Sequence, residues 1–227
     1  MGKFYIVASP IGNLEDITIR ALALLKSVDL IISEDTRETT KLLNRYDIQK
    51  SQISYRDQNH DKVVQKIVDL LESGSDIALI SDSGTPLISD PGFKLVQQLI
   101  KRGIGLISIP GPSAPISALV VSGLPTDKFA FIGFLPKKKT KRHNILKKYG
   151  QFDATLTIFE SPYRIEQLIS DIYEILGDRA ICIVNEQTKK FERIHRGYAQ
   201  TFVNGEQSIK TKGEFVVLVA KEGFKYE

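Results

Sequence analysis

The chain has 227 residues, 42% of them hydrophobic and 26% charged, with a formal net charge of +4 and a single cysteine, Cys182. That length suits two modest cores, since a domain usually holds about 100–150 residues, and one cysteine excludes a disulfide framework. No apolar run approaches the roughly 20 residues of a membrane span, the amino terminus lacks a secretory core, and Ile6 stands where a myristoylation signal needs Ser or Thr; a cytoplasmic protein with no membrane partner is expected.

In chain order, residues 3–8 predict a strand, followed by a Pro-x-Gly-Asn turn. A helix then begins near Thr18, with Ala21, Leu22, Leu25 and Val28 on one face. Residues 30–33 predict a strand and 38–46 a polar helix. Val63, Val64, Ile67, Val68 and Leu71 mark an amphipathic helix ended by Gly74. Residues 77–81 predict a buried strand, Phe93, Val96, Leu99 and Ile100 a helix stopped at Gly103, and residues 105–109 a further strand. Apolar strands alternating with helices predict a parallel sheet covered on both faces. The Gly/Pro/Asp cluster GLPTD places a boundary after residue 122, dividing the chain into 1–122 and 123–227. In the second part, strands at 129–134, 155–159, 180–184, 194–198 and 214–220 surround one strong helix built on Ile165, Leu168, Ile169, Ile172 and Leu176. Loops or short helices join most of these strands, so the second sheet should be mixed. The fold class is α/β with two domains.

Charge is uneven. Residues 137–148, KKKTKRHNILKK, hold seven Lys and Arg and no acid, leaving a slight acidic excess elsewhere. So dense a patch suits docking of a polyanion, whose binding gains from released counterions; a solvated surface is the plainer alternative.

Several chemistries are disfavoured. The single Gly-x-Gly, at 103–105, is followed by Ser108 where the dinucleotide fingerprint needs glycine, and no phosphate-loop motif occurs. His60, His143 and His195 are scattered, and no zinc spacing is present, so no metal is expected. Four loops instead stand out, each leaving the carboxyl end of a predicted parallel strand, where open α/β sheets bind ligands. They are SPIGNLED (residues 9–16), SEDTRET (33–39), SDSGTPLISDPG (81–92) and PGPSAP (110–115). Gly and Pro in alternation fix a backbone whose amides and carbonyls stay uncovered. Taken singly each reads as a turn with a helix cap, at Asp16, Asp90 or Ser113; four on one sheet edge read as a ligand site.

These loops, with EDTR, IPGPSA, SGLPTD, GFLPKK, ESPYR and GEFVVLVA in this order, resemble the ribosomal RNA small-subunit methyltransferase I group of the tetrapyrrole methylase superfamily, over about residues 4–220. The resemblance implies a homodimer that binds S-adenosylmethionine between two domains and methylates the 2′-hydroxyl of a cytidine in small-subunit ribosomal RNA, free or in the 30S particle. It puts Pro10 and Gly12 beside the cofactor, Asp82, Gly84, Thr85, Ile88 and Ser89 around its methionyl and ribose parts, and Ser113 and Ala114 near the same pocket. Glu160, Gly213 and Glu214 would close over the adenine. Two departures stand out. Position 163 is Tyr where the group usually has His, so a proton-transfer role for that histidine does not apply here, and the given sequence stops at Glu227, shortly after its last strand, where many members continue as a helical tail.

For such a reaction Glu34 and Asp35 are the candidate proton acceptors, with Arg37 to hold a phosphate or fix the acid; an acidic helix start with a surface ion pair is the alternative. Arg164 is a second candidate for phosphate, and Lys137, Lys138, Lys139, Lys141 and Arg142 would steer RNA without reading its sequence. A tetrapyrrole or other small-molecule methylase of the same fold, and a non-catalytic RNA-binding protein, remain the alternative readings.

Overall fold

The computed structural model describes all residues, Met1–Glu227, and the chain forms two compact units, Met1–Ser113 and Ala114–Glu227. The first contains β1 (Phe4–Val7), α1 (Ile19–Ser27), β2 (Leu30–Ser33), α2 (Thr36–Arg45), β3 (Gln52–Ser54), α3 (His60–Glu72), β4 (Ile77–Ile80), α4 (Phe93–Lys101) and β5 (Leu106–Ile109). Its sheet runs β3-β2-β4-β1-β5 with every pair parallel.

Strand periodicity sorts side chains to two faces. Leu30, Ile32, Ile77 and Leu79 pack with Val64, Ile67 and Leu71 of α3 and Leu95 and Leu99 of α4. Ile31, Ala78 and Ile80 turn the other way, onto Ala21 and Leu25 of α1 and Leu42 and Leu43 of α2. The sheet is therefore covered on both faces, as its continuous apolar strands predict. β3 has no counterpart among the expected elements, because Gln52, Ile53 and Ser54 form a short, half-buried edge strand with little apolar signal.

The second unit contains α5 (Ala114–Val121), β6 (Phe129–Phe134), α6 (Lys139–Tyr149), β7 (Thr155–Glu160), α7 (Ile165–Leu176), β8 (Ala180–Asn185), β9 (Arg193–Tyr198), α8 (Ala199–Val203) and β10 (Phe215–Val219). The order is β6-β7-β10-β8-β9, with β6 and β7 parallel and the other pairs antiparallel, a mixed sheet as expected. Leu146, Leu168, Ile172 and Phe202 from α6, α7 and α8 pack on one face. Ala118 and Leu119 of α5 cover the other, against Cys182, Val184, Val216 and Leu218. That packing counts α5 with the second unit, so the units divide between Ser113 and Ala114, ahead of the GLPTD turn. Burial pushes the Cys182 thiol up to about 11, in keeping with a structural and not a reactive cysteine. No helix is long and apolar enough to cross a membrane.

Candidate functional site

The three Gly/Pro-rich loops and the acidic SEDTRET loop all leave carboxyl ends of the first parallel sheet, on neighbouring strands β2, β4, β1 and β5. They are tied together by polar contacts. The Ser9 amide donates to the Gly84 carbonyl at 2.8 Å, Ser81 Oγ donates to the same carbonyl at 2.6 Å, and the two hydroxyls lie 3.4 Å apart. Thr85 Oγ1 donates to the Pro112 carbonyl at 3.2 Å. Gly84 holds φ +78°, a backbone that favours glycine, and a Cβ there would press on Ile11 Cγ2 at 3.2 Å. Leu87 and Ser89, at φ 72° and 66°, hold a left-handed backbone disfavoured for side-chain-bearing residues, a common mark of ligand loops.

The β2 and β4 exits meet where the Asp35 amide donates to Asp82 Oδ1 at 3.1 Å. Asp35 itself caps α2, accepting from the Arg37 amide at 2.9 Å, and is gripped by the Arg37 guanidinium at 2.6–3.2 Å. Those hydrogen bonds hold its carboxyl far below the usual range. This corrects the expectation that Asp35 accepts a proton: a carboxylate so stabilised is a poor base near neutrality. Arg37, expected either to hold a phosphate or to fix the acid, is ion-paired with Asp35 in this structure. Glu34 differs, lining a small pocket with Tyr55, Leu79, Ile80, Ser81, Pro86, Asp90 and Pro91.

Asp90 was legible in the sequence only as a helix cap, yet Gly92 occupies the position before α4. The buried Oδ2 of Asp90 has no partner, and burial, with repulsion from Glu34 and Asp82, raises its carboxyl to about 6. Asp82 is likewise held above the usual range, by burial and by repulsion from Asp35 and Glu38, against the pull of the Asp35 amide and Arg56. This edge therefore brings Asp82, Asp90 and Glu34 close together, with Asp90 Oδ2 left without a partner. Asp16 is no helix cap either: it ends a short 3-10 turn, and Thr18 caps α1, accepting from the Ala21 amide at 3.1 Å.

In the second unit, pairing of Phe215 with both Glu160 and Asn185, and of Phe134 with Phe159, aligns one sheet edge. Glu160, buried, receives the Ser161 amide at 2.7 Å and Arg164 at 2.6 Å through Oε1, while its Oε2 is buried without a partner. Gly213 and Glu214 precede β10 instead of starting it, and the Glu214 amide donates to Glu186 Oε1 at 3.1 Å. Gly213 takes φ +88°, with the Glu186 side chain where a Cβ would stand.

Comparison with known proteins follows the same lines. Residues 3–202 match the family model of tetrapyrrole (corrin/porphyrin) methylases. The chain belongs to the tetrapyrrole methylase family. Two relatives named ribosomal RNA small subunit methyltransferase I are each 46% identical to it. The one from Halalkalibacterium halodurans aligns over 226 residues, 100% of this chain and 78% of the relative. The one from Thermotoga maritima aligns over 223 residues, 98% of this chain and the relative's full length. Among solved structures, a diphthine synthase superposes with a TM-score of 0.75 at 12% identity, covering 98% of this chain and 90% of that one. A uroporphyrin-III C-methyltransferase from Thermus thermophilus, complexed with S-adenosylhomocysteine, superposes at 0.66 and 17%, covering 97% and 98%. At such identities the last two show the shared fold.

As a tetrapyrrole methylase family member the chain is a methyltransferase that uses S-adenosylmethionine. Its first-unit loops fit that cofactor. A sulfonium is a cation, and the Asp82 and Asp90 carboxyls, raised chiefly by burial and further by neighbouring carboxylates, mark a place where a cation is favoured. Buried Ser33 Oγ and Asp90 Oδ2 offer unpartnered polar atoms, and the glycine at position 84 keeps a side chain from filling the loop. Of the residues nominated for the methylase cofactor, Pro10, Gly12, Asp82, Gly84, Thr85, Ile88, Ser89 and Ser113 lie on these exits, with Pro10 and Gly84 buried and Gly12 and Ile88 exposed. Ala114 opens α5, and Glu160, Gly213 and Glu214 lie together on the second unit's edge.

The RNA-steering group needs one correction. Arg142 is buried, paired with the fully buried Asp171, and donates to the Pro136 and Lys137 carbonyls at 3.3 and 2.9 Å. It is a structural member of α6 and not a surface cation, because α6 turns positions 142 and 146 inward. Lys137, Lys138 and Lys141 are exposed, whereas Lys139 pairs with Glu174 at 2.9 Å.

Proposed function

We propose that this methylase transfers a methyl group to the 2′-hydroxyl of a cytidine ribose in small-subunit ribosomal RNA. The observation that carries the reading is the 46% identity, over essentially the whole chain, to two relatives named for that RNA, joined to the dense basic segment 137–148. When bound, S-adenosylmethionine supplies an electrophilic methyl group on a sulfonium. Asp82, with Pro10, Gly12, Gly84, Thr85, Ile88, Ser89 and Ser113 of the first unit, would hold it.

A ribose hydroxyl is a weak nucleophile, so its alignment and the removal of its proton decide the rate. Asp90 is suited to removing the proton, because its carboxyl titrates near 6, which leaves it ionised at neutral pH and more basic than an ordinary aspartate. Burial, with repulsion from Glu34 in the same pocket and from Asp82, keeps that proton affinity high. Asp35 and Arg37 support the β2 exit. The protein would work as a homodimer in the cytoplasm, with free ribosomal RNA or the assembled 30S particle as its partner; sedimentation velocity tests the dimer.

Methyl transfer from labelled cofactor to small-subunit RNA, and to uroporphyrinogen for comparison, tests the proposal. Label in RNA as 2′-O-methylcytidine is expected. Label only in the tetrapyrrole would replace the proposal with the small-molecule reading, and cofactor-independent RNA binding with no transfer would replace it with the non-catalytic one.

A further inference from the structure

Two arginines that the sequence offers to phosphate are spent on backbone. Arg164, at the end of the ESPYR turn, donates to the Leu135 carbonyl at 3.1 Å as well as to Glu160. Arg142 donates to the carbonyls of Pro136 and Lys137 while paired with Asp171. Both guanidiniums thus grip the segment leaving β6, residues 135–137, and fix its backbone. What that segment and its neighbour present outward is of another kind. Phe134 is 56% exposed and Tyr163 95% exposed. Phe134 is held by the Phe159 ring, centroids 5.4 Å apart, whereas no ring pairs with Tyr163. Because β6 and β7 are adjacent and parallel, with Phe134 opposite Phe159, both rings flank the same strand exits, and the Arg164–Leu135 bond joins the two turns.

Beside them Lys137, Lys138 and Lys141 are exposed and form no ion pair, and residues 137–148 contain no acid. Exposed rings interleaved with unpaired cations match the chemistry of single-stranded nucleic acid, whose bases stack on aromatic faces while the phosphates seek cations. A protein partner fits less well, since lysine is depleted at protein interfaces. Duplex RNA also fits poorly, its bases being already stacked in a helix whose major groove is too deep and narrow for side chains to read.

We infer that this edge of the second unit binds a short single-stranded RNA segment, with Tyr163 and Phe134 as stacking platforms and Lys137, Lys138 and Lys141 on the intervening phosphates. The inference rests on RNA being the methyl acceptor and adds which surface engages it, and in what strandedness.

The test is fluorescence anisotropy with a labelled single-stranded RNA of about 16 nucleotides and the same sequence as duplex, at several salt concentrations. The unaltered chain, Tyr163→Ala, Tyr163→Phe and the double variant Lys137→Ala/Lys138→Ala are compared. Tyr163 is almost wholly exposed, so its replacement leaves the fold intact, which thermal unfolding checks. The unaltered chain should prefer the single strand. Tyr163→Ala should weaken binding about tenfold at unchanged salt slope, with Tyr163→Phe close to the unaltered chain. The lysine variant should lower the slope of log affinity against log salt by about 1.4. Cofactor affinity should be equal in all four. If the unaltered chain methylates RNA yet Tyr163→Ala binds single strands as tightly, or duplex binds as well, this inference falls and the functional reading stands. A change in sedimentation of Tyr163→Ala with RNA affinity intact would mark the edge as a protein contact and also overturn it. If the unaltered chain neither binds nor methylates RNA, the functional reading falls and takes the inference with it.

Discussion

The amide of Asp35 donates to Oδ1 of Asp82 at 3.1 Å, so the loops leaving β2 and β4 share one hydrogen bond whose acceptor is also a proposed ligand of the cofactor. Asp82→Ala removes both the ligand and the acceptor for that amide. Cofactor binding should fall below detection by calorimetry while circular dichroism shows a folded chain. Gly84→Val should act alike for a different reason, a left-handed backbone with a methyl group driven toward Ile11. Micromolar affinity retained in either variant would place the pocket elsewhere.

Asp90 makes a paired prediction about rate and stability. The transfer rate of the unaltered chain should rise with pH through about 6 and then level. Asp90→Asn should lower the rate by about 100-fold or more and abolish that inflection. Stability should move oppositely. A carboxyl whose folded value is raised stabilises below its unfolded value, and that contribution is lost as pH rises through 6. Asp90→Asn should therefore be the more stable chain at about pH 7.5 and show no such advantage near about pH 3.5 in urea titrations.

Arg142 and Lys141 are neighbours in sequence with opposite consequences. Arg142→Ala strands the buried carboxylate of Asp171 and should cost about 3–5 kcal/mol, read from urea midpoints. Lys141→Ala should stay within about 0.5 kcal/mol. Burial pushes the Asp171 carboxyl up, but hydrogen bonds from His143, Arg142 and Gln167 outweigh it and hold it low. Its contribution is thus present at neutral pH and lost as pH falls below about 4, and Arg142→Ala should flatten that acid limb.

At the strand exits the sequence was most legible. Gly and Pro in close succession at 9–16, 81–92 and 110–115, with acids in the first two, have few uses besides shaping backbone around a ligand, and the strands feeding those loops are mostly apolar. What escaped were features decided by partners distant in sequence. Arg142 sits in a run of cations, and nothing local shows that position 142 of α6 faces Asp171 on α7, 29 residues on. Asp90 looks like a cap until its neighbours from β2 and β4 exits are in view. Asp35 looks like a base until Arg37 closes on it, although the spacing of two residues hinted at that grip. The strand β3 is too short and polar to announce itself. The division ahead of α5 depends on Ala118 and Leu119 packing against β10, which a Gly/Pro cluster at 123–125 cannot reveal.

The most direct test of the central claim is to incubate the chain with S-adenosylmethionine and small-subunit RNA, free and as 30S particles, from cells lacking the gene, then map the digest by mass. A single new 2′-O-methylcytidine, absent with Asp82→Ala, is the predicted result; an RNA map unchanged in both substrates would contradict it.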